Sequence, residues 1–166
     1  MATNDNLQTA FAGESQANRK YTAFARKAEG EGFRNVARMF RAIAEAETVH
    51  ALSHLRVMGH IKGTADNLQA AMDGENYEVR QMYPPMYAEA EKDGNKPAMA
   101  SFRHALEAEK IHAEMYAKAL ESVKAGKDAE VGAIWICDVC GHTVTGEPPE
   151  RCPICNAKRE RYFEVK

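Results

Sequence analysis

The sequence predicts an all-α four-helix bundle followed by a small module built on four cysteines, and three observations predict it. Residues up to about Gly126 are rich in Ala, Glu, Lys, Arg and Met and show no strand-like alternation. Apolar residues recur there every three or four positions along four segments, the rhythm of helices packed on a core. All four Cys fall in the last 30 residues as two C-x-x-C pairs. At 166 residues the chain suffices for one main core and a small appendage. The expected domains are the helical region 1–126, a linker 127–133 and the cysteine module 134–166.

Breakers at "EGEGF" (Glu29–Phe33), "MGHIKGT" (Met58–Thr64) and "KDGNKP" (Lys92–Pro97) divide the helical region into four helices of about 25 to 30 residues. The second helix offers Val36, Phe40, Ile43, Glu47, His50, His54, Val57 and Ile61 to the core; the fourth offers Ala98, Phe102, Ala105, Glu109, His112, Tyr116, Ala119 and Val123. The first helix runs Leu7, Phe11, Glu14, Tyr21 and Ala28, and the third Leu68, Met72, Glu75, Met82 and Met86. Every stripe carries a carboxylate. Pro84 and Pro85 are expected to kink the third helix beyond its carboxylates.

The helical region is an internal repeat. "GFRNVARMFRAIAEAETVHA" (Gly32–Ala51) aligns without gaps on "GNKPAMASFRHALEAEKIHA" (Gly94–Ala113) with eight of twenty positions identical, and "GESQANR" (Gly13–Arg19) lies over "GENYEVR" (Gly74–Arg80). Two copies of a helical hairpin are implied, related by an approximate two-fold axis where they pack together.

Composition excludes several classes. A net charge of -2 and a pI near 6.3 leave no broad basic surface for nucleic acid or anionic membrane. The N-terminal "MATNDNLQTA" lacks the regions of a signal peptide, and no apolar run is long enough to span a bilayer. The expected compartment is the cytosol, where paired C-x-x-C motifs favour metal over disulfides.

Four ionised carboxylates on apolar stripes repel one another and are poorly solvated unless cations compensate them. Positions i and i+3 of a helix share a face, so Glu47 with His50, and Glu109 with His112, can each present an oxygen and a nitrogen to one point. One Glu from each of two helices, Glu14 and Glu75, plus Glu-x-x-His from the other two is the donor set of dinuclear carboxylate bundles of the ferritin type. Glu78 breaks the symmetry, since its counterpart in the first helix is Ala17; from spacing alone it is equally a fifth ligand for one metal or an edge carboxylate paired with Arg80. His54, opposite Tyr116 in the repeat, suits the core. His60, His104 and His142 read as surface residues, and Glu45 and Glu107 as solvated. In the tail, Cys137, Cys140, Cys152 and Cys155 can close a tetrahedral site around zinc or iron, with Trp135, Tyr162 and Phe163 as a minimal core.

The pieces "FAGESQANRKYTAFA", "AEAETVHA", "TADNLQAAMDGENYEVRQMYP", "EAEKIHA" and "WICDVCG" with "CPIC" resemble rubrerythrin over essentially the whole chain. The resemblance implies a ferritin-like four-helix bundle and a rubredoxin-like domain. It implies two non-haem irons held by Glu14, Glu47, Glu75, Glu78, Glu109 and His112, with His50 alternating with Glu78 as the first iron changes oxidation state. It further implies one iron in the four-cysteine site, with zinc as a possible substitute, and reduction of hydrogen peroxide to water. Tyr21 and Tyr83 match positions that hydrogen-bond ligand carboxylates. The tail departs from the family in one respect: Asn156 stands where Gly usually follows the second knuckle, and Asn is the residue most tolerant of a left-handed backbone after Gly.

The linker between the second and third helices poses a topological question. A helix of 28 residues is about 42 Å long, whereas six linking residues reach about 20 Å when extended. A ferritin-like crossover is out of reach, so the chain folds up-down-up-down or exchanges helices with a second chain; the expectation is a domain-swapped homodimer. The expected activity is a hydrogen peroxide reductase, an oxidative-stress defence enzyme, with Glu47 and Glu109 bridging the metals. Electrons would enter through the cysteine iron from an external NAD(P)H-linked reductase or a rubredoxin, because the chain lacks G-x-G-x-x-G and P-loop motifs. The rival readings are a ferroxidase and a structural zinc protein without turnover.

Overall fold

The computed structural model describes residues 2–166 and comprises two compact units, one ending at Lys62 and one running from Gly63 to Lys166. The first is an antiparallel pair, α1 (Ala2–Gly30) and α2 (Arg34–Val57). Gly32 closes the turn at φ +85°, and the Phe33 N–H bonds the Ala28 carbonyl at 2.9 Å, a Schellman end that satisfies a carbonyl of the last turn.

The pair closes on small residues. Asn18, Ala25 and Ala28 of α1 and Ala37, Ala44 and Ala51 of α2 are its buried positions. The α2 alanines lie seven residues apart, each one position after Val36, Ile43 and His50, so the closing stripe sits about 100° around the helix from the seam expected from sequence. Alanine wins that contact because it lets two backbones approach closely. The expected seam is correspondingly open: Val36, Ile43, Val57 and Ile61 are exposed. Asn18 fixes the register, its Nδ2 donating to the Ala44 carbonyl at 2.7 Å and to Thr48 Oγ1 at 2.8 Å, while its Oδ1 accepts from Arg19 Nε at 2.7 Å.

The second unit begins with α3 (Thr64–Tyr77), continues through a π-helical segment (Glu78–Met82) into α4 (Tyr83–Lys92), and turns into α5 (Lys96–Lys124), which packs on both helices. Gly94, aligned with Gly32 in the repeat, makes the same turn: its φ is +64° and the Asn95 N–H bonds the Ala90 carbonyl at 2.9 Å. The Asn95 side chain then caps α5 by accepting from the Ala98 N–H at 3.1 Å, with Pro97 in the first turn.

Beyond α5 a three-stranded antiparallel sheet of order β2-β1-β3 is formed by β1 (Ile134–Cys137), β2 (Thr143–Thr145) and β3 (Tyr162–Val165). Cys137 pairs with Tyr162 across β1 and β3, and these two with Cys152 form the buried core, with Trp135 packed against it. Phe163, expected in that core, is half exposed because successive strand residues face opposite sides and Tyr162 takes the inner one.

Ala37 is fully buried where α1 meets α2. Replacing it with Leu overpacks the contact and is expected to cost about 1–3 kcal/mol, read as a lower urea midpoint with an unchanged denaturant slope.

Candidate metal centres

The first unit brings Glu14 of α1 to Glu47 and His50 of α2, with one donor atom from each within 4.8 Å of the others. His50 Nδ1 stands 3.0 Å from Glu47 Oε2 and 4.0 Å from Glu14 Oε1. The second unit repeats the arrangement with Glu75 of α3 and Glu109 and His112 of α5, again within 4.8 Å, and His112 Nδ1 lies 2.6 Å from Glu109 Oε2. The i,i+3 spacing makes each Glu–His pair locally, and the hairpin turn supplies the third donor.

Glu78 lies outside that cluster of three and opens the π segment. The irregularity that the sequence did not announce is a widening of the helix, which begins at Glu78 and ends just before Pro84 and Pro85. The Tyr83 N–H bonds the Glu78 carbonyl, five residues back, in a stretch followed by two residues with no N–H. One extra residue per turn also explains a spacing difference between the copies. Tyr21 follows Glu14 by seven residues, whereas Tyr83 follows Glu75 by eight; the π turn absorbs the insertion and returns Tyr83 to the ligand face. Tyr21 packs its ring 6.2 Å from Phe40, and Tyr83 packs 6.3 Å from Phe102.

The second cluster carries uncompensated negative charge. Burial, then the charge and a shared proton of Glu109, push the Glu75 carboxyl up to about 7, and burial and Glu109 also raise Glu78. Burial and the carboxylates of Glu78, Glu109 and Glu75 raise Tyr83, which keeps its proton and remains a donor. His112 is raised chiefly by its hydrogen bond to Glu109. Three carboxylates competing for protons around one imidazole are the signature of a cation site.

His112 is also tied to the cysteine module. Its Nε2 meets Thr143 Oγ1 at 2.8 Å, and the Thr143 hydroxyl donates to the Gly141 carbonyl at 3.1 Å. Having spent its only proton on Gly141, the hydroxyl accepts from His112 Nε2–H, which leaves Nδ1 as the metal-facing nitrogen. A cavity of about 370 Å³ adjoins this bond, lined by His112, Met115, Tyr116, Ile136, Gly141 and Thr143.

Cys137, Cys140, Cys152 and Cys155 converge, with Sγ···Sγ separations of 3.7 Å for Cys137–Cys155 and 3.4 Å for Cys140–Cys152. A tetrahedron with metal–sulfur bonds of about 2.3 Å has edges of about 3.7 Å, so the four sulfurs fit a metal, and they are too far apart for disulfides. The two knuckles are alike. Gly141 N–H bonds the Cys137 carbonyl and Asn156 N–H bonds the Cys152 carbonyl, each at 2.9 Å. Asn156, at φ +61°, adopts the left-handed turn in place of Gly.

Sequence reasoning missed two residues here. His142, expected at the surface, is 6% exposed because its ring fills the small core and its Nδ1 bonds the Tyr162 hydroxyl at 2.7 Å. The module's shortage of apolar residues was the available signal. Thr143 had no signal, since its partner lies 31 residues away on another element. His60 is exposed and His104 is half-buried.

The rubrerythrin family model matches residues 5–120, and the model of the rubrerythrin rubredoxin-like domain matches residues 135–164. The chain belongs to the rubrerythrin family. Rubrerythrin-2 of Clostridium acetobutylicum is 39% identical, covering 96% of this chain and 95% of that protein; nigerythrin of Nitratidesulfovibrio vulgaris is 36% identical, covering 97% and 85%. The solved structure of fully reduced, all-ferrous nigerythrin superposes with a TM-score of 0.58 at 32% identity, covering 98% of this chain and 86% of that one. Rubrerythrin membership makes the carboxylate–histidine donors a di-iron set and the four cysteines a rubredoxin-like iron site. It also makes the chain a redox protein of a family with an oxidative-stress peroxidase role. Among the described residues no helix is long and apolar enough to cross a membrane.

The raised Glu75 carboxyl gives a pH dependence of known sign. Between about 4.5 and about 7 the folded metal-free protein holds a proton that the unfolded chain has lost, so stability falls as pH rises through that window. The thermal midpoint of the metal-free protein is expected to be lower at pH 7.5 than at pH 5, and Glu75→Gln should flatten that difference in calorimetry.

Proposed function

We propose that the protein reduces hydrogen peroxide to water at a di-iron centre held by Glu14, Glu47, His50, Glu75, Glu78, Glu109 and His112. Cys137, Cys140, Cys152 and Cys155 would hold an iron able to accept electrons from a separate reductase or rubredoxin. The irons, when bound, supply two electrons to the peroxide O–O bond, and two protons complete two waters. The observation that carries this reading is the His112–Thr143 bond, because it ties a proposed di-iron ligand to the first residue of β2, three positions after Cys140. An iron-storage role gives that connection no purpose.

The protein's own groups divide the work. Thr143 holds the Nε2 proton of His112 and so presents Nδ1 to the metal. Tyr83, raised by burial and by the charges of Glu78, Glu109 and Glu75, is the candidate donor to a ligand carboxylate, and Tyr21, which packs on Phe40 as Tyr83 packs on Phe102, is its counterpart in the first hairpin. Glu78 and His50 would be alternative ligands of one iron, since a hard carboxylate favours the ferric ion and a neutral imidazole the ferrous.

The functional particle is a homodimer in which α1 and α2 of one chain meet α3–α5 of a second. The stripe of Val36, Ile43 and Val57 supports this reading, since it is apolar, exposed and continuous with the face carrying Glu47. The short connection between Val57 and Thr64 supports it as well. The bundle, linker and cysteine module divide at 126 and 134, and the cytosol is the compartment suited to reduced cysteines.

Iron-reconstituted protein supplied with a reduced electron donor is expected to consume peroxide. A protein that oxidises ferrous iron but turns over no peroxide, or that binds only zinc, would refute the reading. Glu78→Ala should slow peroxide turnover; an unchanged rate would remove Glu78 from the ligand set. Thr143→Val should lower iron affinity or turnover roughly 10- to 100-fold, measured by competition with a chelator and by stopped-flow oxidation of the cysteine iron. A monomer in light scattering with every metal bound would eliminate the exchanged dimer.

A further inference from the structure

We propose that the two metal positions fill in order, and that the half-site of Glu75, Glu109 and His112 holds a single divalent first-row ion before the half-site of Glu14, Glu47 and His50 takes one. The two triplets match in residue type and in the span of their donor atoms. They differ in how the donors are held before a metal arrives. His112 is fixed on both sides of its ring, with Nδ1 2.6 Å from Glu109 Oε2 and Nε2 2.8 Å from Thr143 Oγ1. The hydroxyl is itself held, because it donates to the Gly141 carbonyl at 3.1 Å. Gly141 in turn lies against α5, where a Cβ on it would stand 3.9 Å from the Cβ of Ala108, a residue only 2% exposed. The cysteine module thus braces the imidazole over its own helix.

His50 has a single anchor. Its Nδ1 lies 3.0 Å from Glu47 Oε2, and its Nε2 has no hydrogen-bond partner among the described residues. Its side chain is 56% exposed, against 25% for His112. The helix of Glu75 also runs on into Glu78, a further carboxylate whose counterpart in α1 is Ala17. A donor already in place loses less side-chain freedom when the ion binds than one that must be immobilised. A partner on the outer nitrogen of a ligating histidine is worth about 10- to 100-fold in metal affinity. Both effects act at the α3–α5 half-site and neither at its copy, so the duplicated donor sets bind unequally and scarce metal yields a chain with one ion.

The inference rests on these residues being ligands of two metals and is independent of peroxide: uptake in this order without peroxide turnover would refute the activity alone, and simultaneous filling would refute the order alone. The test is a titration of the full-length chain, its cysteine site iron-loaded and its helical sites emptied, with Mn(II), an ion that suits carboxylates and not thiolates. Electron paramagnetic resonance separates an isolated Mn(II) ion from a spin-coupled pair. The first equivalent is expected to give the isolated-ion signal, and the second to convert it to the coupled pair at a free Mn(II) concentration at least about 10-fold higher. His112→Ala should abolish the first step, and Thr143→Val should weaken it about 10- to 100-fold. His50→Ala should leave the first step unchanged and weaken the second. A coupled pair from the earliest additions, a first step unmoved by Thr143→Val, or one weakened by His50→Ala would overturn the proposal. Should His112→Ala fail to fold, Thr143→Val, which removes one hydrogen bond and no ligand, still decides it.

Discussion

Carboxylates on the apolar stripes of helices carry a charge that neighbouring apolar side chains cannot solvate, and the helical units are arranged around that requirement. In the second unit the cost is visible directly. Glu75 is held half-protonated near neutrality by burial and Glu109, and His112 is drawn towards its charged form by the same carboxylate. Iron replaces those protons as the compensating charge, so metal binding and the integrity of the helical pairs are thermodynamically coupled.

Two scales of structure meet that requirement. Glu47 with His50 and Glu109 with His112 need only helical geometry, because an i,i+3 pair shares a face wherever the helix goes. Bringing Glu14 to the first pair and Glu75 to the second needs the hairpins, and there the small residues matter. Ala37, Ala44 and Ala51 let α2 approach α1 closely, while Asn18 fixes how far one helix slides along the other. The result is a hairpin whose larger apolar residues remain on the ligand-bearing face, available to whatever completes the bundle.

The sequence made the periodic features legible. Four helical segments, their glycine ends, the two donor triplets and the paired knuckles all repeat at fixed intervals, and repetition is what reading along a chain detects. Features that depend on contact between distant elements were not legible. The closing stripe of α2 lay one residue from the expected seam because alanine permits close approach, a property that an apolar count does not weigh. His142 was assigned to the surface because imidazole is polar, although the tiny core of the cysteine module accepts it once Tyr162 satisfies its nitrogen. Thr143 carried no local signal, and nothing in the helical periodicity marked the widening that begins at Glu78.

That widening has a genetic reading. Duplicating a metal-binding hairpin yields two equivalent half-sites, as the matched turns at Gly32 and Gly94 record. Equivalence is then broken with little disturbance, since a π turn accommodates one inserted codon within a single turn and leaves both Glu–His pairs and both hairpin turns in register. A duplicated gene could in this way make its two metal positions unequal through the length of one helix, before any ligand was exchanged.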